Sequence, residues 1–217
     1  MASLTVVPAI LTNDPAVYQQ QMANYLQFTK RIQLDITDGE FTPTVTIPLK
    51  GLTFPQGAEI DLHVMMLRPS EHVQDIITAR PSLVILHAEA TEPILPVLEQ
   101  IKGAGIKTGV ALLEPTFPER VRAYIEVVDH VMIFAGTIGQ QGSSADLLQI
   151  EKIPLVRAIK PDVEIGWDGG ANMKTIRALG HADLNVINVG SALATAQDPA
   201  ATYAELAKEA ERRGVAL

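Results

Sequence analysis

The stretch RIQLDITDGEFTP, residues 31–43, decides how this chain is read. From residue 31 to residue 37 apolar and polar side chains alternate. Ile32, Leu34 and Ile36 therefore share one face of an extended strand, and Gln33, Asp35 and Thr37 share the other. The run ends in Asp38-Gly39, an ordinary strand-end turn in which an aspartate bonds its own backbone. The polar row is not ordinary, because polar groups on the inner face of a sheet need a reason.

Outward from this stretch, short runs rich in Val, Ile and Leu alternate with longer segments of helical spacing, the signature of repeated βα units around a parallel sheet. Such runs stand at Leu4–Leu11, Arg31–Thr37, Glu59–Met65, Leu83–Glu89, Lys107–Leu112, His130–Ala135, Val163–Trp167 and Leu184–Val189. Several are apolar almost throughout, as expected for strands covered on both faces. Between them the spacing predicts helices over Pro15–Phe28, Ser70–Ala79, Glu92–Ala104, Pro118–Val127, Ala145–Ile159, Met173–Leu179 and Pro199–Arg213. Asp198 and Asn172 read as N-caps, and Gly180 and Gly214 as stops. The second unit is the weak one: Thr44–Phe54 contains Pro48 and little helical periodicity, so a loop or degenerate helix is expected there. No linker or charge run divides the chain, and residues 1–217 read as a single (β/α)8 TIM barrel domain.

Composition narrows the function. The chain is 47% hydrophobic and 19% charged, within the range of compact globular proteins. Its formal charge of −8 offers no basic surface for nucleic acid or anionic lipid, so neither is an expected partner, and any phosphate must be held by backbone amides and local dipoles. With no cysteine, disulfides and thiolate metal ligands are excluded. MASLTVVPAILTND lacks a basic leader region, its apolar run is broken by Pro8, and no stretch approaches a membrane span, so a cytoplasmic location is the expected default.

In such a barrel the reacting groups come from the C-terminal ends of strands and the loops that follow. That rule selects Gln33, Asp35, Thr37 and Asp38 from the second strand, Asp61, His63 and Met65 from the third, His87 and Glu89 from the fourth, and Asp168 from the seventh. Asp35, His63 and Asp168 fall at the same end of three strands and are expected to converge; His87 and Glu89 read as supporting groups. Glycines carry a second signal. Gly169-Gly170, Gly190-Ser191, and Gly139 with Gly142 sit on loops of adjacent units, where amides freed of Cβ atoms can close around a phosphate.

These residues resemble those of the ribulose-phosphate 3-epimerase family over nearly the whole chain. VVPAILTND resembles the family's opening strand, LDITDGEFTP its V-D-V-M-D-G-x-F-V-P signature, and DLHVM its D-x-H-L-M; LHAEA, TGVALLEP, WDGG and NVGSAL follow in the family's order. The resemblance implies a homo-oligomeric isomerase, a ketose-phosphate 3-epimerase of carbohydrate (pentose phosphate) metabolism. It also implies a divalent metal of the Zn, Fe or Mn type held by two histidines and two aspartates, the aspartates doubling as acid and base. Carried over residue by residue, the aspartates fall on Asp35 and Asp168 and one histidine on His63. The other histidine position is Gln33, a doubtful ligand, since imidazole suits these metals better than an amide oxygen. Ala9 stands where the family has serine, Thr37 where it has methionine, and GTIGQQGSS replaces N-P-G-F-G-G-Q; Ala9, Thr37 and Met65 are expected around the substrate.

The chemistry has its own logic. A proton next to a ketone leaves only if the enediolate is stabilised and a base lies on it, and inversion needs an acid on the opposite face. Carboxylates from opposite sides of a barrel suit that task. One rival is a phosphosugar-binding barrel whose metal site has decayed; Gln33, Ala9 and Thr37 favour it, and retention of both aspartates and His63 opposes it. The other is a decarboxylase or hexulose-phosphate synthase, opposed by Thr37 where its D-x-K-x-x-D motif requires lysine.

Overall fold

The computed structural model describes residues 4–212. Eight parallel strands close into a barrel in sequence order: β1 (Thr5–Ile10), β2 (Arg31–Thr37), β3 (Glu59–Met65), β4 (Leu83–His87), β5 (Lys107–Leu112), β6 (His130–Phe134), β7 (Glu164–Asp168) and β8 (Val186–Val189). Helices cover the outside: α1 (Pro15–Tyr25), α2 (Val73–Ala79), α3 (Leu95–Gly103), α4 (Arg122–Val127), α5 (Lys152–Ile159), α6 (Ile176–Gly180), α7 (Ser191–Ala194) and α8 (Pro199–Glu211). The (β/α)8 reading of the sequence holds.

Strand alternation produces two apolar layers. Ile32, Leu34 and Ile36 of β2, Ile60, Leu62 and Val64 of β3, and Val84 and Leu86 of β4 face the helices in the main core. Leu83, Ile85, Ala111, Met132 and Phe134 form a separate cluster inside the barrel. The interior side of β2 carries Gln33 and Asp35 instead, in register with Asp61 and His63 of β3. The polar row therefore faces inward, and its residues need partners there.

Several helices are shorter than their periodicity predicts. α3 starts at Leu95, with Pro96 at its second position, because proline gives up no needed N–H in a first turn and disfavours helix before it. The segments before α2, α4 and α5 are 3-10 turns rather than continuous α-helix. Asp198 caps α8 by accepting from Ala201 N, as expected. Asn172 instead accepts from Lys174 N in a turn, and α6 begins only at Ile176. The end of the helix expected to reach Arg213, and the stop at Gly214, lie outside the described residues. Between β2 and β3 there is no α-helix. Thr46 N and Ile47 N bond Thr37 O and Thr12 O, and Ile47 and Leu49 are buried where a helix would otherwise cover the barrel.

Candidate active site at the C-terminal mouth

The polar face of β2 finds its partners across the barrel. Gln33 and His63 are fully buried and Asp35 is 8% exposed, so the hydrogen bonds among them do the work that water would do outside. The Gln33 amide nitrogen donates to Asp35 Oδ1 at 2.9 Å and to Asp168 Oδ2 at 2.5 Å, tying β2 to β7. His63 Nδ1 lies 2.9 Å from Asp35 Oδ1 and 3.7 Å from Asp168 Oδ2. The structure thus brings together Asp35, His63 and Asp168, as the sequence predicts.

Two carboxyl groups held this close disfavour each other's charge. Burial, and then the neighbouring Asp35, push Asp168 up to about 7. Burial works against a charged His63, but its bond to Asp35 and the charges of Asp35 and Asp168 outweigh that and raise it. Among the described residues no Arg or Lys is hydrogen-bonded or ion-paired to Asp35 or Asp168. One oxygen or nitrogen from each of Asp35, His63 and Asp168 lies within 4.8 Å of the others, so the three could hold a metal ion. The buried Gln33 Oε1 has no hydrogen-bond partner among the described residues. Two carboxylates and one imidazole fit a divalent cation, while Gln33 turns its N–H groups to both carboxylates.

Above this cluster opens a pocket of about 510 Å³. Asp35, His63, Met65, Ala9 and Asp168 line its floor, and Gly139, Gly142, Gly169, Gly170, Gly190 and Ser191 line its rim. Gly139, Gly142, Gly169 and Gly170 have φ of 71°, 80°, 106° and 66°, a region that glycine enters without strain. Cβ atoms at Gly169 and Gly170 would run into the backbones of Gly136 and Ala145, so those loops approach closely only as glycines. The loop after β2 is fastened to the rim by Thr42 Oγ1 donating to Ile138 O and Thr44 Oγ1 donating to Gly139 O.

Two readings need correction. Thr37 is not among the pocket-lining residues, because its hydroxyl is turned to Thr44 O and its N–H is held by Thr46 Oγ1. Asp61 sits at the other end of the barrel, where Arg31 Nε donates to it at 2.8 Å, while Arg31 also grips Glu164 with both terminal nitrogens. His130 Nδ1 joins that network through Glu164 Oε2 at 2.7 Å. Asp38 remains a turn residue, accepting from Glu40 N. Sequence reasoning missed Asn188, which is 2% exposed, lines the pocket and carries an Oδ1 without a hydrogen-bond partner. The available signal was a lone amide within the apolar strand VINV.

Comparison with known proteins follows this geometry. A family model described as the ribulose-phosphate 3 epimerase family matches residues 5–194. A ribulose-phosphate 3-epimerase of Schizosaccharomyces pombe is 27% identical over 206 residues, covering 92% of this chain and 90% of the relative. A chloroplastic ribulose-5-phosphate-3-epimerase of Arabidopsis thaliana is 30% identical over 230 residues, covering 100% of this chain and 80% of the relative. Among solved structures, 3-hexulose-6-phosphate synthase from Salmonella typhimurium superposes with a TM-score of 0.71 at 16% identity, covering 95% of this chain and 98% of that one. A likeness at that identity bears on the barrel alone. No helix among the described residues is long and apolar enough to cross a membrane.

Proposed function

The chain belongs to the ribulose-phosphate 3-epimerase family, and we propose that it inverts the carbon next to the ketone of a small ketose phosphate, with Asp35 and Asp168 as acid and base. The observation that carries this reading is the pair itself: carboxylates from β2 and β7 share one pocket floor and one amide donor.

In one direction one carboxylate takes the proton from the reacting carbon while the other, protonated, delivers a proton to the opposite face; the reverse reaction exchanges the roles. His63 and Gln33 orient the two groups. The sugar chain lies over Met65 and Ala9, and its phosphate reaches the rim at Gly139, Gly142, Gly169, Gly170, Gly190 and Ser191, where backbone N–H groups serve in place of basic side chains. The buried Asn188 Oδ1 is an acceptor for a substrate hydroxyl. A divalent cation of the Zn, Fe or Mn type would be held by Asp35, His63 and Asp168 with Gln33 Oε1 as the weak fourth donor, and when bound would supply positive charge for the enediolate oxygen.

The proposed setting is a cytoplasmic homo-oligomer. The decayed-site rival is opposed by the buried convergence of Asp35, His63 and Asp168, and the synthase rival by Thr37, whose hydroxyl points away from the pocket. A panel of ketose phosphates, ribulose 5-phosphate among them, assayed for epimerisation with measured metal content tests the reading. Conversion of at least one is expected; binding without conversion of any would return the protein to the decayed-site reading.

A further inference from the structure

Of the described residues that line the mouth pocket, Asn188 is the one with a buried side-chain oxygen left without a hydrogen-bond partner. It is 2% exposed and interrupts an apolar strand. In β8 Ile187 and Val189 face the helices within the main core, so Asn188 faces the barrel interior. A valine or leucine would fill that wall without an unpaired atom. A buried amide oxygen with no donor is costly, because it has given up water and gained nothing in return. The adjoining strand does not supply one, since Ala9, the pocket residue of β1, offers only a methyl group. The donor for Asn188 therefore comes from what enters the pocket.

The fold sets this amide between two landmarks of the proposed site. Trp167 of β7 and Ile187 of β8 are register partners, so the next residues towards the mouth are Asp168 and Asn188, on adjacent strands. Two residues beyond Asn188 stands Gly190 at the rim, about 7 Å further along an extended chain. Gln141, which also lines the pocket, brings its Nε2 to 3.2 Å from where a Cβ on Gly190 would stand, a side-chain donor at that rim. In a ketose phosphate bound as proposed, the inverted carbon lies at Asp168 and the phosphate at Gly190 and Ser191. The carbon between them passes Asn188, and in a sugar that carbon bears a hydroxyl, which can donate to an amide oxygen.

We infer that Asn188 is a specificity-determining residue whose side-chain oxygen takes the hydroxyl on the carbon between the inverted carbon and the phosphate. With the ketone at C2 and the phosphate on C5, that carbon is C4. The inference rests on the epimerase reading above and narrows its substrate class to ketose phosphates with a hydroxyl at that position. An analogue without it leaves Asn188 buried and unpaired, and a site built around a hydroxyl rejects such an analogue more strongly than an apolar pocket rejects a missing methylene.

The probes are D-ribulose 5-phosphate and its 4-deoxy and 1-deoxy analogues, with binding measured by calorimetry and turnover by epimerisation, in the wild type, Asn188→Leu and Asn188→Ala. The wild type is expected to bind the 4-deoxy analogue about 10–100-fold more weakly than the parent. In Asn188→Leu the parent should weaken by about the same factor while the 4-deoxy analogue binds at least as well as before, so the preference collapses. The 1-deoxy analogue, which keeps the 4-hydroxyl, should weaken with the parent. Asn188→Ala, which cannot crowd the pocket, should lose the same preference. A wild type indifferent to the 4-hydroxyl would overturn the assignment, as would equal weakening of parent and 4-deoxy analogue in both variants, or a preference for the 1-hydroxyl that disappears instead. Binding with the expected preference but no conversion of any probe would overturn the epimerase reading and leave the hydroxyl assignment standing. A wild type that binds none of the three would overturn both.

Discussion

Strands β2, β3 and β7 carry ionisable side chains at both of their ends, and the two ends treat them in opposite ways. At the N-terminal end Arg31 satisfies Asp61 and Glu164 together, with His130 on the same carboxylate. Burial opposes the Glu164 charge, but the Arg31 bonds outweigh it and hold that carboxyl well below its usual range. At the C-terminal end Asp35 and Asp168 face each other with an amide and an imidazole between them and no permanent cation, and Asp168 rises to about 7. The same residue types therefore do different things: the lower network holds its carboxylates with a guanidinium of its own and serves the fold, while the upper one has no such permanent positive charge among the described residues, a charge that a ligand can bring.

This contrast is broken most severely by exchanging the functions of the two ends. Asp168→Asn is expected to lower epimerase kcat/KM by about 10²–10⁴ with little loss of melting temperature, because it removes an acid–base group and relieves a repulsion. Arg31→Leu should do the reverse, costing about 3 kcal/mol by leaving buried Asp61 without its partner, or about 10 °C in Tm for a barrel of this size, with kcat nearly unchanged. If the two variants traded effects, the division between the ends would be wrong.

The rim gives the next effect. Gly190→Asp puts a negative side chain where the phosphate is proposed to lie, so ketose-phosphate affinity, measured by calorimetry, should fall by several kcal/mol, the usual cost of apposed like charges. An unchanged affinity would move the anion elsewhere.

Gln33 sharpens the comparison further. Gln33→His offers a second imidazole beside Asp35, His63 and Asp168, and zinc affinity is expected to rise about 10–100-fold, the range over which ligand and supporting-shell changes act. Affinity that is already tight in the wild type and unchanged in the variant would show that the histidine is dispensable.

The smallest expected effect is in stability against pH. In chelator-treated protein the folded-state value of Asp168, about 7, exceeds its ordinary 3.8, so the folded form holds a proton that the unfolded form has released. Asp168 therefore contributes a loss of stability as pH rises between about 4 and about 7, and the raised His63 adds loss of the same sign above 6.5, while His87, lowered by burial to about 4, contributes the opposite slope between about 4 and 6.5. Carboxyls held low, Glu164 and Glu89, gain their stability at lower pH and leave the upper half of this window to the mouth. Thermal melts of the wild type and Asp168→Asn should diverge by that contribution, the wild type losing stability relative to the variant as pH rises towards about 7; parallel profiles would contradict the repulsion.

The upper end was far more legible in the sequence than the lower. Alternation within RIQLDIT and the strand-end rule located Asp35, His63 and Asp168, and glycine runs located the rim, because both signals are local. Thr37 was misplaced because the strand's alternation cannot reveal the loop carbonyl of Thr44 that captures its hydroxyl. Asp61 was assigned to the wrong end because period alone does not say how far along the strand the reactive mouth begins. Its partner Arg31 also binds Glu164, 133 positions further along the chain, a pairing that no spacing rule connects. Helix starts were lost at prolines and 3-10 turns, where periodicity continues but α-helical bonding does not.

The central claim, that Asp35 and Asp168 work on opposite faces of one carbon, is tested most directly by running the epimerisation in D₂O with the wild type, Asp35→Asn and Asp168→Asn. The wild type is predicted to wash deuterium into the carbon next to the ketone of both epimers. Each single variant should lose inversion while still exchanging deuterium into one epimer only, a different one for each variant. Inversion without solvent deuterium, or exchange into both epimers by either variant, would contradict the account.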